Sequence, residues 1–158
     1  MGRKRGVSAL LALALSGLVV GAAGCGEGDS VSAGATVHVY VVGLMCADAQ
    51  RELAAEGGRG GDVRVRAVCL PVPEDAKGLN LATAGANARR ATEDSTTVSY
   101  LEAPGPANAF ARPIIEEAGI DYFNVASGAN AIRRILKAIE EAGSGSLRDQ
   151  VRENLEGE

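Results

Sequence analysis

The side chains that could do chemistry in this chain are few. Its 158 residues contain one histidine, His38, and three cysteines. A serine nucleophile needs a nearby base, and His38 stands at the start of a predicted strand, far from the strand ends where α/β sheets bind ligands. No cysteine or carboxylate stands at zinc-ligand spacing around His38. The sequence therefore predicts no catalysis, no metal site and no cofactor, and His38 is interpreted as a structural imidazole.

The first cysteine, Cys25, follows a segment typical of export signals. Residues 3–5 are basic, residues 7–23 are apolar or small, and the run Ala22-Ala23-Gly24-Cys25 resembles a bacterial lipobox, with Ala22 where leucine is usual. In a lipobox the thiol takes a diacylglyceryl group and the cysteine becomes the new N-terminus. Residues 1–24 are thus predicted to be a lipoprotein signal peptide, and Cys25 to be the lipid anchor at the extracytoplasmic face of the cell membrane. Plain secretion and a retained membrane helix are the alternatives.

The other two cysteines, Cys46 and Cys69, form an even pair in an exported chain. An oxidising compartment favours a disulfide between them, and two buried free thiols are the alternative. Cys46 follows the first predicted strand, and Cys69 ends the second. Neighbouring parallel strands would place both at the same rim of a sheet, where a bridge is geometrically reasonable.

Composition and length limit the classes of partner and the number of domains expected for this chain. The formal net charge is −4 and only 3% of residues are aromatic, which argues against nucleic-acid binding and against stacking sites for sugars or bases. Residues 25–35 are small and polar, and they are predicted to be a flexible tether. Residues 36–158 are enough for one domain with a real core.

Strands and helices alternate along the predicted domain. Alternating or β-branched apolar runs predict four strands, and apolar residues at helical spacing predict the helices between them. Asn80 is a good N-cap, Gly57-Gly58 is typical of a helix end, Ser146 with Asp149 resembles a capping box, and Pro113 should kink or divide its helix. The predicted strands are 37–42, 62–70, 96–101 and 120–125, and the predicted helices are 46–56, 81–91, 107–118, 130–142 and a last short one from 147.

This alternation predicts an α/β fold. The expected architecture is a single doubly wound parallel sheet of about four strands in the order 2-1-3-4, with helices on both faces and additional helices at the C-terminus. Ligands would bind at the carboxyl ends of the strands. Asn108, Ser127 and the turn glycine Gly105 are the predicted ligand contacts there, and helix N-caps are the alternative for Asn108 and Ser127.

Several segments together carry a resemblance to a known family. Residues 87–94 (NARRATED), 98–101 (VSYL), 112–120 (RPIIEEAGI) and 130–141 (NAIRRILKAIEE) resemble type I periplasmic binding proteins. The most similar branch is that of the leucine/isoleucine/valine receptors of ABC importers. The resemblance implies the first lobe of such a receptor, a small amino acid as ligand, and an importer permease as partner. A bridged pair like Cys46 and Cys69 also occurs in some members.

The chain departs from that family in three respects, one of which is that Leu70-Pro71 replaces the family's acidic pair after the second strand. Family receptors have two lobes, and here the fourth predicted strand is followed almost directly by the helix at Asn130. The family's hydroxyl-bearing run after the third strand is replaced by Gly105-Pro106-Ala107-Asn108. Three hypotheses follow: a one-lobe lipoprotein that binds a small solute weakly or assists an ABC importer, a non-catalytic interaction or structural lipoprotein, and a flavodoxin-like enzyme, which the missing phosphate-binding motifs disfavour.

Overall fold

The computed structural model describes residues 34–75, 78–143 and 147–156. Within these ranges the predicted strands and helices occur in the predicted order, and three further short strands lie between the first two helices. The elements are β1 (Thr36–Val42), α1 (Met45–Ala55), β2 (Arg59–Gly60), β3 (Val63–Leu70), β4 (Glu74–Asp75), β5 (Gly78–Leu79), α2 (Leu81–Thr92), β6 (Thr97–Glu102), α3 (Asn108–Glu117), β7 (Asp121–Asn124), α4 (Gly128–Ala142) and α5 (Leu147–Glu156).

The central strand β1 has apolar side chains on both of its sides. Val39 and Val41 belong to one core cluster, whereas Tyr40 and Val42 belong to the other. Successive side chains of a strand point to opposite faces of the sheet. A strand with this pattern must be covered on both faces, which is the expected arrangement for a parallel sheet.

Helices cover both faces of the sheet. One core contains apolar residues of α1, α4 and α5, and the other contains residues of α2 and α3. In the first core, the apolar stripe of α4 buries three isoleucines completely: Ile132, Ile135 and Ile139. In the second core, Ala88 and Ala91 let α2 approach the sheet closely, and Ile115 of α3 is fully buried. The predicted α/β class, with helices on both faces of the sheet, is confirmed.

The sheet has five strands in the order β2-β3-β1-β6-β7. The pairings of β3 with β1, β1 with β6, and β6 with β7 are parallel, whereas β2 pairs antiparallel with β3. The predicted number of four strands and an entirely parallel sheet are therefore wrong, and the predicted order lacks the edge strand β2. The additional strand β2 depends on Gly60, because a Cβ at this position would lie 2.7 Å from the carbonyl oxygen of Leu136. Glycine thus lets the backbone of β2 lie directly against α4.

Two predicted helix ends are confirmed in detail. After α1, the N–H of Gly58 donates to the carbonyl of Leu53 over 2.6 Å, and the N–H of Gly57 donates to that of Ala54 over 3.3 Å. Both glycines have positive φ, and this pair of bonds is the Schellman motif. Before α2, the side chain of Asn80 accepts a 3.1 Å hydrogen bond from the backbone of Thr83.

The structure corrects two further expectations. Pro113 does not divide its helix, since α3 runs from Asn108 to Glu117 through it. Proline removes the bond to the carbonyl of Ala109, but Ala109 is exposed, so the loss falls on the solvent side of the helix. The hairpin of β4 and β5 was not predicted at all. Ser146 of the predicted capping box lies outside the described residues, as do the signal segment and Cys25.

None of the described helices is both long enough and apolar enough to cross a membrane.

Candidate functional site

A cleft opens where the parallel strands of the sheet end. Because β3, β1 and β6 run in the same direction, their carboxyl ends meet at one edge, which is where open α/β sheets bind ligands. This rim cleft has a volume of about 430 Å³, a size suited to a small molecule. It is lined by Val42, Gly43, Leu44, Met45, Asp48, Val72, Pro73, Glu74, Glu102, Ala103, Pro104, Gly105, Ala107 and Ala126.

Gly43 makes the turn that leads from β1 into the wall of the rim cleft. Its φ is +71°, a conformation that side chains with a Cβ rarely adopt. Its N–H donates to the carbonyl of Leu70 over 2.9 Å, and a Cβ would lie 2.8 Å from Cγ2 of Val72. The backbone conformation therefore favours glycine at this point, and a Cβ would also require the half-exposed side chain of Val72 to move.

The two cysteines of the domain lie at the same rim. Their sulfur atoms are at bonding distance, and the Cα atoms of Cys46 and Cys69 are 5.5 Å apart, which suits a disulfide. Cys46 is in the first turn of α1, and Cys69 pairs with Val41 across β3 and β1. The bridge therefore fastens the start of α1, which contributes Met45 and Asp48 to the cleft, to the neighbouring strand.

A cluster of three polar side chains adjoins the rim cleft, with Glu102 and Asn108 buried and Tyr122 partly buried. Glu102 ends β6, Asn108 begins α3, and Tyr122 lies on β7. The amide nitrogen of Asn108 donates to Oε2 of Glu102 over 3.0 Å, and the hydroxyl of Tyr122 donates to the same oxygen over 2.9 Å. The amide oxygen of Asn108 accepts from the N–H of Gly105 over 2.5 Å. The side chain of Asn108 is therefore hydrogen-bonded both to the carboxylate of Glu102 and to the backbone of the turn at Gly105.

Tyr122 is kept as a neutral donor to Glu102. Burial raises the pKa of its phenol, and the hydrogen bond to Glu102 raises it further. Its ring stacks on that of Tyr100 at 5.9 Å between centroids, and the guanidinium of Arg112 lies 5.0 Å from its ring centre on another side. These contacts fix the direction in which its hydroxyl points.

The second oxygen of Glu102 has no such partner. The residue is 3% exposed, and Oε1 makes no hydrogen bond to any residue in the described part of the chain. Buried polar atoms are nearly always paired, so an exception calls for an explanation. The hydroxyl of Tyr100 is also buried without a hydrogen bond to a described residue, and burial together with the charge of Glu102 raises the pKa of that phenol. The unpaired oxygen of Glu102 and the unpaired hydroxyl of Tyr100 therefore belong to the same buried region.

The side chains around Glu102 give the rim cleft a negative charge and apolar walls. Asp48 and Glu74 line it together with Glu102, and its other described lining residues are glycines or apolar. Leu44 and Val72 are 92% and 48% exposed. Asp48 forms an ion pair with Arg51, and the accessible surface of the cleft is largely aliphatic, which suits a small molecule with an apolar body.

The structure brings two of the three predicted ligand contacts to this site. Gly105 lines the rim cleft, and Asn108 is buried beside it with its amide directed to Glu102. Ser127 precedes α4 at the N-cap position without a capping hydrogen bond from its side chain, and it is not among the residues lining the cleft. The N-cap alternative for Asn108 is wrong, because Ala107 occupies that position and Asn108 is the first residue of α3.

Comparison with known proteins adds no relative to this description. No family model matches the chain, no curated protein matches it, and no solved structure matches it. The resemblance to branched-chain amino acid receptors therefore stays a prediction.

Glu102 and Tyr122 are the residues that sequence reasoning missed. The predicted third strand stopped at Leu101, one residue before the carboxylate. The signal was a glutamate continuing an apolar strand, with an asparagine six residues later that could reach back to it. A second, larger cleft of about 600 Å³ borders β7 and the segment before it, lined by Glu116, Gly119, Ile120, Asp121, Tyr122, Phe123, Arg152 and Leu155.

His38 lies at the amino-terminal edge of the sheet, opposite the rim cleft. Its Nδ1 is 2.7 Å from Oδ2 of Asp94, which also accepts a 2.9 Å hydrogen bond from the hydroxyl of Tyr40. The hydroxyl and the N–H of Thr96 donate to Oδ1 of Asp94 over 2.6 and 2.9 Å. Burial alone would raise the pKa of Asp94, but the hydrogen bonds from Thr96, His38 and Tyr40 outweigh it and lower the pKa to about 2. The cluster connects β1 to the loop before β6.

In the described ranges no group of three His, Cys, Asp or Glu residues could hold a metal ion.

Replacing Asp94 by asparagine should remove a pH-dependent part of the stability. The native pKa is about 2 and the usual value is 3.8, so the ionised group stabilises the fold above about pH 4 and loses this effect as the pH falls to about 2. We expect Asp94→Asn to lower the free energy of unfolding by about 2 kcal/mol at pH 7, and by about half of that at pH 3. Urea denaturation at several pH values measures this. Asp62→Asn, at an exposed site, is the control, and an equal deficit of Asp94→Asn at pH 7 and pH 3 would contradict the assignment.

Proposed function

We propose that this chain is an extracytoplasmic lipoprotein, anchored through lipid on Cys25, whose α/β domain binds a small solute in the rim cleft. The observation that carries the binding role is the rim cleft itself, a space of about 430 Å³ whose lining includes the exposed apolar side chains of Leu44 and Val72. It lies at the carboxyl ends of the parallel strands β3, β1 and β6, where sheets of this kind bind ligands. No catalytic step is part of the proposal.

The proposal includes a relation to one lobe of a branched-chain amino acid receptor of an ABC importer. The parallel pairings of β3 with β1, β1 with β6, and β6 with β7 support a 2-1-3-4 winding of the strands predicted from the sequence. The short connection from β7 to α4, residues 125–127, leaves no room there for a second lobe. One lobe cannot exclude water from its ligand, so the electrostatic contacts stay weak. We expect dissociation constants of about 1 mM.

Calorimetric titration of the full chain in detergent micelles with leucine, isoleucine and valine tests solute binding. A variant that fills the cleft provides the specificity control. Gly105 lines the cleft, its φ is not positive, and a Cβ would meet nothing closer than 3.9 Å, so Gly105→Phe is expected to abolish the heat of binding without unfolding the protein. Ala54→Phe, on an exposed part of α1, should bind as the parent does. Absence of heat at 10 mM ligand would remove amino-acid binding from the proposal.

The anchor is tested separately. Cells grown with radiolabelled palmitate should incorporate the label into the wild-type chain and not into the Cys25→Ser variant. A labelled Cys25→Ser protein, or an unlabelled wild type, would contradict lipidation at this residue.

A non-catalytic interaction lipoprotein is the second candidate function. It is favoured by the side chain of Leu44, which is 92% exposed at the mouth of the rim cleft next to the half-exposed Val72. Exposed aliphatic residues of this kind are typical of sites that a protein partner covers. Cross-linking in cells from a photoreactive residue at position 44 separates the two functions. Capture of an importer permease would favour transport, whereas a self-dimer or another partner that is insensitive to amino acids would favour the interaction role.

A further inference from the structure

We infer that the bridge between Cys46 and Cys69 is a site of thiol–disulfide exchange, at which a small thiol adds to Cys69 and Cys46 is released as a buried thiol. The observation behind this inference is the unequal exposure of the two cysteines. It concerns the bridge alone, so it holds or fails independently of solute binding in the rim cleft.

The first step concerns access to the two sulfur atoms. Cys46 is 2% exposed and belongs to the first core, whereas Cys69 is exposed near the end of β3. The side chain of Gln50, which is also exposed, donates a 3.4 Å hydrogen bond to Sγ of Cys69. Exchange requires a thiolate to reach the sulfur that it attacks. A thiol from solution therefore attacks Cys69, and Cys46 is the leaving group.

The second step is the reaction itself. The thiolate of a low-molecular-weight thiol forms a bond to Sγ of Cys69 while the bond between the two cysteines breaks. The electron pair of the broken bond goes to Sγ of Cys46, which then takes a proton from solvent. A second molecule of the same thiol attacks the small-thiol sulfur of the mixed disulfide, which releases the oxidised dimer and leaves Cys69 as a thiol. In total, one protein disulfide is reduced and two small thiols are oxidised.

The third step concerns the place of the products in the fold. A free cysteine behaves as a small apolar residue and is among the residue types most often buried, so the thiol of Cys46 stays in the first core. The group added to Cys69 stays in solvent. Attack in the opposite direction would place a polar adduct on Cys46 among apolar side chains, and burial of polar groups without partners is costly. Access and the stability of the product thus favour the same sulfur.

The fourth step is the consequence for the start of α1. The bridge is the covalent link between this helix and β3, and the exchange removes it. Leu44 and Met45, at the start of α1, line the rim cleft. After the exchange, packing alone holds this wall of the cleft in place. The supply of small thiols is therefore coupled to the side chains that surround the cleft.

Two single-cysteine variants test the direction of the exchange. Cys46→Ala keeps only Cys69 in the domain, and Cys69→Ala keeps only Cys46. Each full chain in detergent micelles is incubated with cystine, and the adduct at each cysteine is followed by tandem mass spectrometry. We expect Cys69 to react at least about 10-fold faster than Cys46. Equal rates, or a faster reaction at Cys46, would overturn the inference.

The same two variants unfolded in urea are the control for shielding by the fold. The difference in rate should vanish there, because Cys46 is no longer buried. A difference of the same size in urea would mean that the local sequence decides the rates, and it would remove burial as the basis of the inference.

The parent protein supplies a second measurement, which does not require the variants to fold. It is incubated with L-cysteine, quenched in acid, unfolded and alkylated with N-ethylmaleimide. Cleavage by trypsin after Arg66 and Lys77 separates Cys69 from the other cysteines. We expect the first adduct on residues 67–77 and the maleimide on Cys46. The inference is wrong if the first adduct is on Cys46. It is also wrong if the native bridge stays intact in L-cysteine that fully exchanges the urea-unfolded protein in the same time.

Discussion

Removing the bond between Cys46 and Cys69 is expected to lower the free energy of unfolding by about 3 kcal/mol. The two residues are 23 positions apart, and closing a loop of this length removes conformational entropy from the unfolded chain worth about that amount. Cys46 is 2% exposed in the first core, whereas Cys69 is exposed. The variant that avoids burying a new polar group is therefore Cys46→Ala combined with Cys69→Ser.

Urea denaturation of the oxidised protein, the reduced protein and this double variant measures the effect. The reduced protein and the double variant should have similar midpoints, both below that of the oxidised protein. Reductant should have no effect on the double variant, which serves as the control for changes unrelated to the disulfide. A difference smaller than about 1 kcal/mol between oxidised protein and double variant would show that the bridge contributes little.

Adding one methyl group at Gly128 is expected to destabilise the protein by about 3 kcal/mol. Gly128 begins α4 where this helix passes closest to α1. A Cβ there would lie 2.7 Å from the carbonyl oxygen of Met45 and 3.3 Å from Cβ of Ala49. The first neighbour is backbone and cannot rotate away, so Gly128→Ala would push the two helices apart and strain the first core.

The same substitution of glycine by alanine at Gly85 should stabilise the protein. A Cβ at Gly85, within α2, would meet only the ring of Phe110, at 3.5 Å, which is an ordinary contact. Alanine is favoured over glycine inside a helix, so Gly85→Ala should raise the free energy of unfolding by about 0.5–1 kcal/mol. Thermal and urea denaturation of the two variants, side by side, test the pair. Equal effects of Gly128→Ala and Gly85→Ala would mean that helix propensity, and not the contact with Met45, decides both.

The strands of the parallel sheet could be predicted because their burial follows a local pattern. In β1 the β-branched residues serve both faces of the sheet, and in β3 Val63 and Val65 alternate with exposed arginines. The helices could be predicted in the same way, because the apolar spacing of α4 and the glycines after α1 are local patterns that extend over one or two helical turns.

The edge strand β2 could not be predicted in this way. It is two residues long, Arg59–Gly60, and carries no alternation. Its existence depends on the absence of a side chain at Gly60, which faces Leu136 and Ile139 of a helix about 75 residues later in the chain. Local sequence patterns contain no information about such a distant contact. The hairpin of β4 and β5 escaped prediction for a different reason: each of its strands is only two residues long, too short to show an alternating pattern.

The candidate site was predicted in its location and not in its chemistry. The rule that ligands bind at the carboxyl ends of parallel strands led to Gly105 and Asn108, and both lie at the rim. Asn108, however, turns its amide inward to Glu102 and Tyr122. The burial of Glu102 depends on a tyrosine twenty residues later, and only the assembled sheet brings that hydroxyl to the carboxylate.

The direction of β1 also determines where the N-terminal segment joins the domain relative to the rim cleft. β1 starts at Thr36, at the edge of the sheet that contains His38 and Asp94, and it ends at the rim cleft. Seven residues at about 3.3 Å each separate the two edges by about 23 Å. A chain held by lipid on Cys25 would be attached at the first of these edges. The mouth of the cleft would then lie at the far edge of the domain from the point where the tether joins it, and the tether would not cover it.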